Sequence, residues 1–333
     1  MTSTVSTFTL TRRSVLAGSL AAVAGLGLAA CSGGNAGSGS ASAKDGGYKI
    51  GVLQLTEHAA LDAANKGFIS AMDEAGVEYS ADQQNAQNDQ SACQTIANKF
   101  VSGGYDLIFA IATPAAQAAA GATSDIPIVA AAITDFAESD LVRDNDKPGT
   151  NVTGCSDMTP VAQQLDLMVE ALPSVKKVGI LFCTAEANSV IQVELAEEKL
   201  DELGIEHKRY SVSSSNEIQS VCETMVGEVD AIYTPTDNTI ASGMAQVAQI
   251  ALDAKVPTVC GEKAHVDAGG LFSLSIDYEK SGYKAGQMAV KILKGEGKPE
   301  DMAIEHLSSD ELELVVNDET AAALGLGLSG LTA

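Results

Sequence analysis

The chain has no tryptophan, and its aromatic content is only 4%. So few rings leave little to stack on the flat faces of sugars. Basic residues are also scarce, 20 lysines and arginines against 44 acids, for a formal charge of −24. Such a surface repels phosphate backbones and anionic headgroups, which argues against nucleic acid as a partner. The acids otherwise serve solubility on solvated helix faces. No G-x-x-x-x-G-K-[ST] occurs, and no serine or cysteine stands in a strand-turn-helix elbow, so the usual marks of a nucleotide hydrolase or acyl-transfer enzyme are missing. The four histidines, His58, His207, His265 and His306, form no H-E-x-x-H, and the cysteines form no C-x-x-C, so no metal and no cofactor is expected. One G-x-G-x-x-G, Gly325 to Gly330, follows a helical stretch instead of a strand and reads as a frayed tail.

What is present begins with an address. Residues 1–10 carry no acid, Arg12 and Arg13 are adjacent, and residues 14–30 form a small-residue apolar run broken by glycine. That is an export signal, too short and glycine-rich for a membrane span. The run ends Leu28-Ala29-Ala30-Cys31, which resembles a bacterial lipobox, with Cys31 receiving a diacylglyceryl group and acyl chains such as palmitate. An ordinary signal peptide, with Cys31 a free thiol, would show the same small residues. Thr11-Arg12-Arg13-Ser14-Val15-Leu16 resembles a twin-arginine signal, and both the twin-arginine and the general secretory route stay open. Residues 32–47 are mostly glycine, serine and alanine, a flexible tether. Five cysteines remain, at 93, 155, 183, 222 and 260, an odd number for which buried thiols are expected, one disulfide being open. Asn151-Val152-Thr153 is a formal glycosylation sequon and reads as chance beside a bacterial lipobox.

Beyond the tether the sequence repeats. Tyr48-Lys49-Ile50-Gly51-Val52-Leu53 is echoed by Lys176-Lys177-Val178-Gly179-Ile180-Leu181, and each run leads into a helical stretch closed by glycine, Gly76 and Gly204. Then come Tyr105-Asp106-Leu107-Ile108-Phe109 and Val229-Asp230-Ala231-Ile232-Tyr233, and finally Ile126-Pro127-Ile128-Val129 and Val256-Pro257-Thr258-Val259. Matched positions are 128 residues apart at Gly51 and Gly76, 124 at Asp106 and 130 at Pro127. Two copies of one β-α-β-α-β plan follow. Strands that alternate with helices and are apolar throughout form parallel sheets covered on both faces, so two doubly wound α/β lobes are expected.

In such sheets ligands bind beyond the carboxyl ends of the strands. After the first strand lies Gln54-Leu55-Thr56-Glu57-His58-Ala59-Ala60-Leu61-Asp62, and after the third Ala112-Thr113-Pro114-Ala115-Ala116-Gln117. Thr113 reads as an N-cap with Pro114 at the first helical position, so that backbone N–H groups would meet a carboxylate. From the second repeat come Thr184-Ala185-Glu186-Ala187-Asn188-Ser189 and Thr234-Pro235-Thr236-Asp237-Asn238-Thr239. Asp237 occupies the place of Thr113, and an acid there can pair with an ammonium, so a zwitterion held between the two is chemically sensible. His58 reads either as a ligand contact or as a surface loop residue, and Tyr278 either as a ligand contact or as part of a hinge.

Glu57-His58-x-Ala60-Leu61-Asp62, Ala112 to Gln117, Asn151-Val152-Thr153-Gly154, Glu186-Ala187-Asn188-Ser189 and Pro235-Thr236-Asp237-Asn238-Thr239 together resemble the tryptophan/tyrosine-type ABC transporter substrate-binding proteins, over residues 48–327. The resemblance implies a type I periplasmic-binding-protein fold, with three crossovers hinging two lobes that close on a ligand. It divides the chain into a signal peptide (1–30), a lipidated cysteine and linker (31–47), a first lobe (48–156 with 278–302) and a second (157–277 with 303–333). Residues 279–294 would then be a first-lobe helix, and 311–324 a strand and helix of the second lobe. The ligand set implied is Glu57, His58, Leu61, Asp62, Thr113, Pro114, Gln117, Thr134, Asp157, Glu186, Asn188, Asp237, Asn238 and Asp277. Many relatives follow the histidine with proline; here it is Ala59, which loosens that turn.

The function expected is a non-enzymatic, extracytoplasmic receptor for a small amino acid-like ligand, aromatic by resemblance. It would hang from the outer face of the cell membrane through Cys31 and serve ABC permease and ATPase subunits. A ligand-sensing lipoprotein, or a receptor for a sugar or nucleoside on the same fold, stays open.

Overall fold

The computed structural model describes residues 46–328 and 330–332; the leader, Cys31 and most of the tether lie outside the described residues. The first repeat runs β1 (Tyr48–Gln54), α1 (Ala59–Glu74), β2 (Tyr79–Asn85), α2 (Gln90–Ser102), β3 (Leu107–Ile111), α3 (Thr113–Ala122), β4 (Ile128–Ile133) and β5 (Val152–Ser156). After α4 (Val161–Ala171) the plan recurs as β6 (Lys177–Cys183), α5 (Ala187–Leu203), β7 (Glu206–Val212), α6 (Ile218–Met225), β8 (Ala231–Thr234), α7 (Asn238–Asp253), β9 (Thr258–Cys260), the short α8 (Lys263–Asp267) and β10 (Phe272–Ser275). The chain ends with α9 (Tyr278–Leu293), β11 (Glu313–Val316) and α10 (Asp318–Leu324).

The two sheets have the same order, β2-β1-β3-β4-β5 in one and β7-β6-β8-β9-β10 with β11 appended in the other. The repeat reaches single side chains. Asp106 Oδ2 accepts the Lys49 N–H at 2.8 Å, and Asp230 Oδ2 accepts those of Lys176 and Lys177 at 2.9 Å, so each lobe pins the start of its first strand alike. Gly51 and Gly179 are also equivalent: a Cβ would lie 2.5 Å from the Phe100 ring in one case and 2.8 Å from the Met225 sulfur in the other. Central strands such as Leu107–Ile111 and Ile128–Ile133 are buried along their whole length, as two-sided coverage requires.

The sequence points to purely parallel sheets, but β11 runs antiparallel to β10. It enters from the other lobe, after α9, and lies at an edge where no crossover helix dictates direction. Its half-exposed residues mark it as an edge strand. The tail after α10 also differs from expectation. Gly325 makes a left-handed cap at φ 74°, but Leu328 is buried against the second-lobe core, with Leu326 and Leu331 beside it.

The five described cysteines are buried free thiols. In the first lobe the Phe68 ring on α1 stacks on Phe109 of β3, centroids 3.8 Å apart. Helix α9 lies against α1 at backbone contact: a Cβ on Gly67 would sit 1.9 Å from the Glu279 carbonyl oxygen, and one on Gly282 1.9 Å from that of Ala64. No helix among the described residues is long and apolar enough to cross a membrane.

Replacing Gly282 by alanine drives a methyl into the α1 backbone and is expected to destabilise by ~1–3 kcal/mol in urea unfolding. Gly121→Ala, in α3 with open space around its Cβ, is expected to stabilise by ~0.5–1 kcal/mol. Equal effects would mean that the α1–α9 contact gives way.

Candidate functional site

The carboxyl ends of both sheets face each other, and the lobes are closed. His58 Nε2 meets Asn238 Oδ1 at 3.1 Å, Asn88 Nδ2 donates to Thr239 Oγ1 at 3.0 Å, and Gln90 Nε2 to the Ala185 carbonyl at 3.2 Å. Gln192 Nε2 donates to Thr134 Oγ1 at 3.0 Å and also to Thr236 Oγ1. Between the lobes lies a crevice of about 10 Å³, lined by His58, Leu61, Ala132, Asp157, Asn188, Thr236, Asp237, Asn238, Glu262 and Tyr278. It has room for roughly one water, so anything larger enters only when lobes part or side chains swing aside.

Of the residues named from the sequence, His58, Leu61, Asp157, Asn188, Asp237 and Asn238 line this crevice. Thr134 and Glu186 are buried one hydrogen bond behind it. Glu57 and Asp62 are exposed and line a separate polar groove beside β1 and β2, where Asp62 accepts from Gln54. Gln117 is exposed on α3, its amide donating to the Ser139 carbonyl. Asp277 caps α9 by accepting the Glu279 and Lys280 N–H groups and lies on the outer groove with Lys263 and Glu313. Pro114 is buried in the first turn of α3. Thr113 is not the N-cap expected: the helix is capped by Ala112 at φ 84°, and Thr113 is its first residue, wholly buried, its hydroxyl without a partner. Ala132 at the end of β4 is also left-handed, at φ 58°. Two alanines in this region, each costing roughly 1–2 kcal/mol of strain, stand at neighbouring strand ends, where strain collects in functional sites.

Four carboxylates are buried here, and their partners give each a different part. Glu186 accepts the N–H and side-chain donors of both Asn238 and Thr239, at 2.6 to 3.1 Å. Asp237 is the N-cap of α7; Oδ1 accepts the Ile240 N–H at 2.8 Å, while Oδ2 accepts the Cys183 N–H and the Ser189 hydroxyl at 2.7 Å. Burial and the charge of Glu186 push its carboxyl well above the usual range, and those three donors pull it back. Both acids are thus occupied in tying α5, α7 and β6 together. As a partner for a ligand ammonium Asp237 is already engaged at both oxygens by three donors, which leaves one acceptor position, on Oδ1.

Asp157 and Glu262 remain. Tyr278 donates its hydroxyl to Asp157 Oδ2 at 2.9 Å, whereas Asp157 Oδ1 is buried without a partner. Burial and the charge of Glu262 raise the Asp157 carboxyl to about 7, against the pull of Tyr278 and Thr134. Burial acts on Glu262 in the same direction, but His265, 3.1 Å away, outweighs it with help from His58 and Tyr278 and holds the carboxyl below its ordinary range. Asn238 donates its amide to Glu186, so its oxygen faces His58, and the network assigns the proton of His58 to Nε2. His58 Nδ1 is buried without a partner, like Asn188 Oδ1. Asp157 Oδ1 and Asn188 Oδ1 are thus unpartnered oxygens on the crevice. No lysine or arginine is among the lining residues.

Glu262 was not picked out from the sequence, although it lies two residues beyond β9, where the strand-end rule points. Thr236, inside the Pro235 to Thr239 run, lines the crevice although it falls outside the ligand set that the resemblance implies. Ala132 carries no chemical signal at all. Tyr278, weighed as a hinge residue or contact, lines the crevice at the start of α9.

Residues 49–330 match the family model described as ABC transporter substrate binding protein. The chain is 42% identical over 281 residues to a tyrosine-binding protein of Clostridioides difficile, covering 83% of this chain and 81% of that protein. Among solved structures it resembles the ABC domain of Streptococcus pneumonia in complex with L-Trp, at 40% identity and a TM-score of 0.82, over 85% of this chain and 96% of that one. It also resembles the ligand-free, open structure of a substrate binding protein with adhesive properties from Clostridium difficile, at 42% identity and a TM-score of 0.65, over 84% and 95%. At near-equal identity the liganded structure superposes better than the open one, as closed lobes require.

Asp237→Asn puts an amide against the Cys183 and Ile240 N–H groups, and the expected outcome is a loss of ~1–3 kcal/mol of stability in denaturant unfolding. Unchanged stability with weakened ligand binding would restore Asp237 as a ligand contact.

Proposed function

The chain belongs to the ABC transporter substrate-binding protein family, and from that membership we propose that it captures an aromatic amino acid, L-tyrosine, L-tryptophan or L-phenylalanine, between its lobes. It then presents the ligand to the permease and ATPase subunits of an importer, as a binder and not a catalyst. The observation that carries the ligand class is the pair of unpartnered oxygens, Asp157 Oδ1 and Asn188 Oδ1, in a crevice lined by no lysine or arginine, where an ammonium would supply three donors. The carboxylate belongs at the start of α3, where the Thr113 hydroxyl has no partner and first-turn N–H groups have none within the helix. Leu61, Ala132 and Tyr278 supply the apolar wall for a ring. The names of the tyrosine-binding and L-Trp-complexed relatives support the aromatic choice.

The same reading covers the rest of the chain. Residues 1–30 are its export signal, Cys31 is lipidated and holds the body at the outer face of the membrane, and residues 32–47 are the tether. The hinge is the set of three crossovers that divides 48–156 with 278–302 from 157–277 with 303–333.

A thermal-shift screen of amino acids, sugars and nucleosides tests the ligand. An aromatic amino acid at a hundred times its Kd is expected to stabilise by about 2.7 kcal/mol. A response to a sugar or nucleoside alone would replace the assignment. Cys31→Ser tests the anchor: the protein should leave the membrane fraction, and retention there would show that something else holds it.

A further inference from the structure

Asp157 stands where the chain leaves β5 for the other lobe, and it is 4% exposed. The groups that face it come from several elements. Tyr278 at the head of α9 donates to Oδ2. Glu262 at the head of α8 adds a like charge, with His265 held against its far side. His58 from the head of α1 and Asp237 from the head of α7 share the crevice, and Cys155 is two residues back on β5. With no lysine or arginine in the lining, an anion at Asp157 has no cation to pair with until a ligand brings one.

We propose that capture of an ammonium-bearing ligand expels one proton from the Asp157 carboxyl to the solvent, so that binding is proton-linked. This deepens the reading given above and rests on it. Before capture the buried carboxyl holds its proton below about pH 7, in keeping with its upward displacement to about 7 by burial and Glu262. On capture the ligand's ammonium keeps its three protons and donates one N–H to the unpartnered Oδ1; the O–H bond of Asp157 breaks, the proton goes to bulk buffer, and the carboxylate and ammonium form the pair. Glu262 is already ionised against His265 and is not the source. The sign follows: below about pH 7 the free protein must give up a proton to bind, so affinity falls by about tenfold per pH unit on acidification. Well above pH 7 it is flat.

Isothermal titration calorimetry with L-tyrosine, L-tryptophan and L-phenylalanine, in buffers of different ionisation enthalpy, reads this directly. Close to one proton released per ligand is expected at pH 6, falling towards none at pH 8.5. Asp157→Asn should remove the release and flatten the pH profile. Tyr278→Phe, which takes away a donor to the carboxylate, should move the midpoint of release to higher pH, a shift that a purely structural role would not produce. Binding with buffer-independent heat at pH 6, or release that persists in Asp157→Asn, overturns the proposal while the ligand assignment stands. No binding of any of the three overturns both.

Discussion

Four carboxylates lie buried where the lobes meet, and an ion out of water must be met by donors or by opposite charge, or else be neutralised. The protein uses all three solutions. Glu186 is surrounded by donors from one short stretch, Asn238 and Thr239, and so fixes the head of α7. Asp237 spends both oxygens on α7, β6 and α5. Glu262 is met by His265. Only Asp157 is left short of a partner, and it lies at the crossover where the lobes join. Glu186, Asp237 and Glu262 are met from within their own lobe, and the chemistry available to a ligand is what remains.

Much of the architecture is legible in the residues. Strands such as Leu107–Ile111 are apolar end to end because helices cover both faces, and the matched glycines, aspartates and prolines of the two halves mark equivalent packing demands at equivalent places. Direction at an edge is less legible: β11 has neither a covering helix nor a distinctive pattern, and its antiparallel pairing follows from where the chain re-enters. The site is legible as a set of loops more than as a set of side chains. Glu57 and Asp62 stand in the same loop and turn as His58 and Leu61, yet point elsewhere, since neighbours at a helix start project in different directions. Asp237 looks like a free acid in sequence because the groups that occupy it, Cys183 N–H and Ser189, lie about fifty residues away. Glu262 is hidden because its meaning depends on Asp157 across the crevice, about a hundred residues away, as well as on His265 one helical turn on.

Family membership and these geometric details bear on different questions. Membership establishes an ABC transporter substrate-binding protein, and this structure, whose lobes touch directly, superposes better on the L-Trp complex than on the ligand-free, open relative. While Lys284 of α9 reaches the His306 carbonyl and Glu311, across the crevice the lobes meet directly through amides and hydroxyls, with His58. Neutral hydrogen bonds of this kind each contribute a modest net energy, which suits a closure that must reverse.

The near-contact of α1 and α9 has a bearing on how the chain reaches its native state. The first lobe is not contiguous: its sheet is complete by β5, but the helix that covers the glycine face of α1 follows more than a hundred residues later. Until α9 arrives, Gly67 and its neighbours expose backbone to water and the lobe lacks one wall of its core. The second lobe waits likewise for β11, α10 and the buried Leu328, so neither lobe is complete until these late segments are in place. Pairings so distant in sequence close slowly, and an exported chain of this design depends on staying unaggregated through that interval, a burden that its strongly acidic composition lightens.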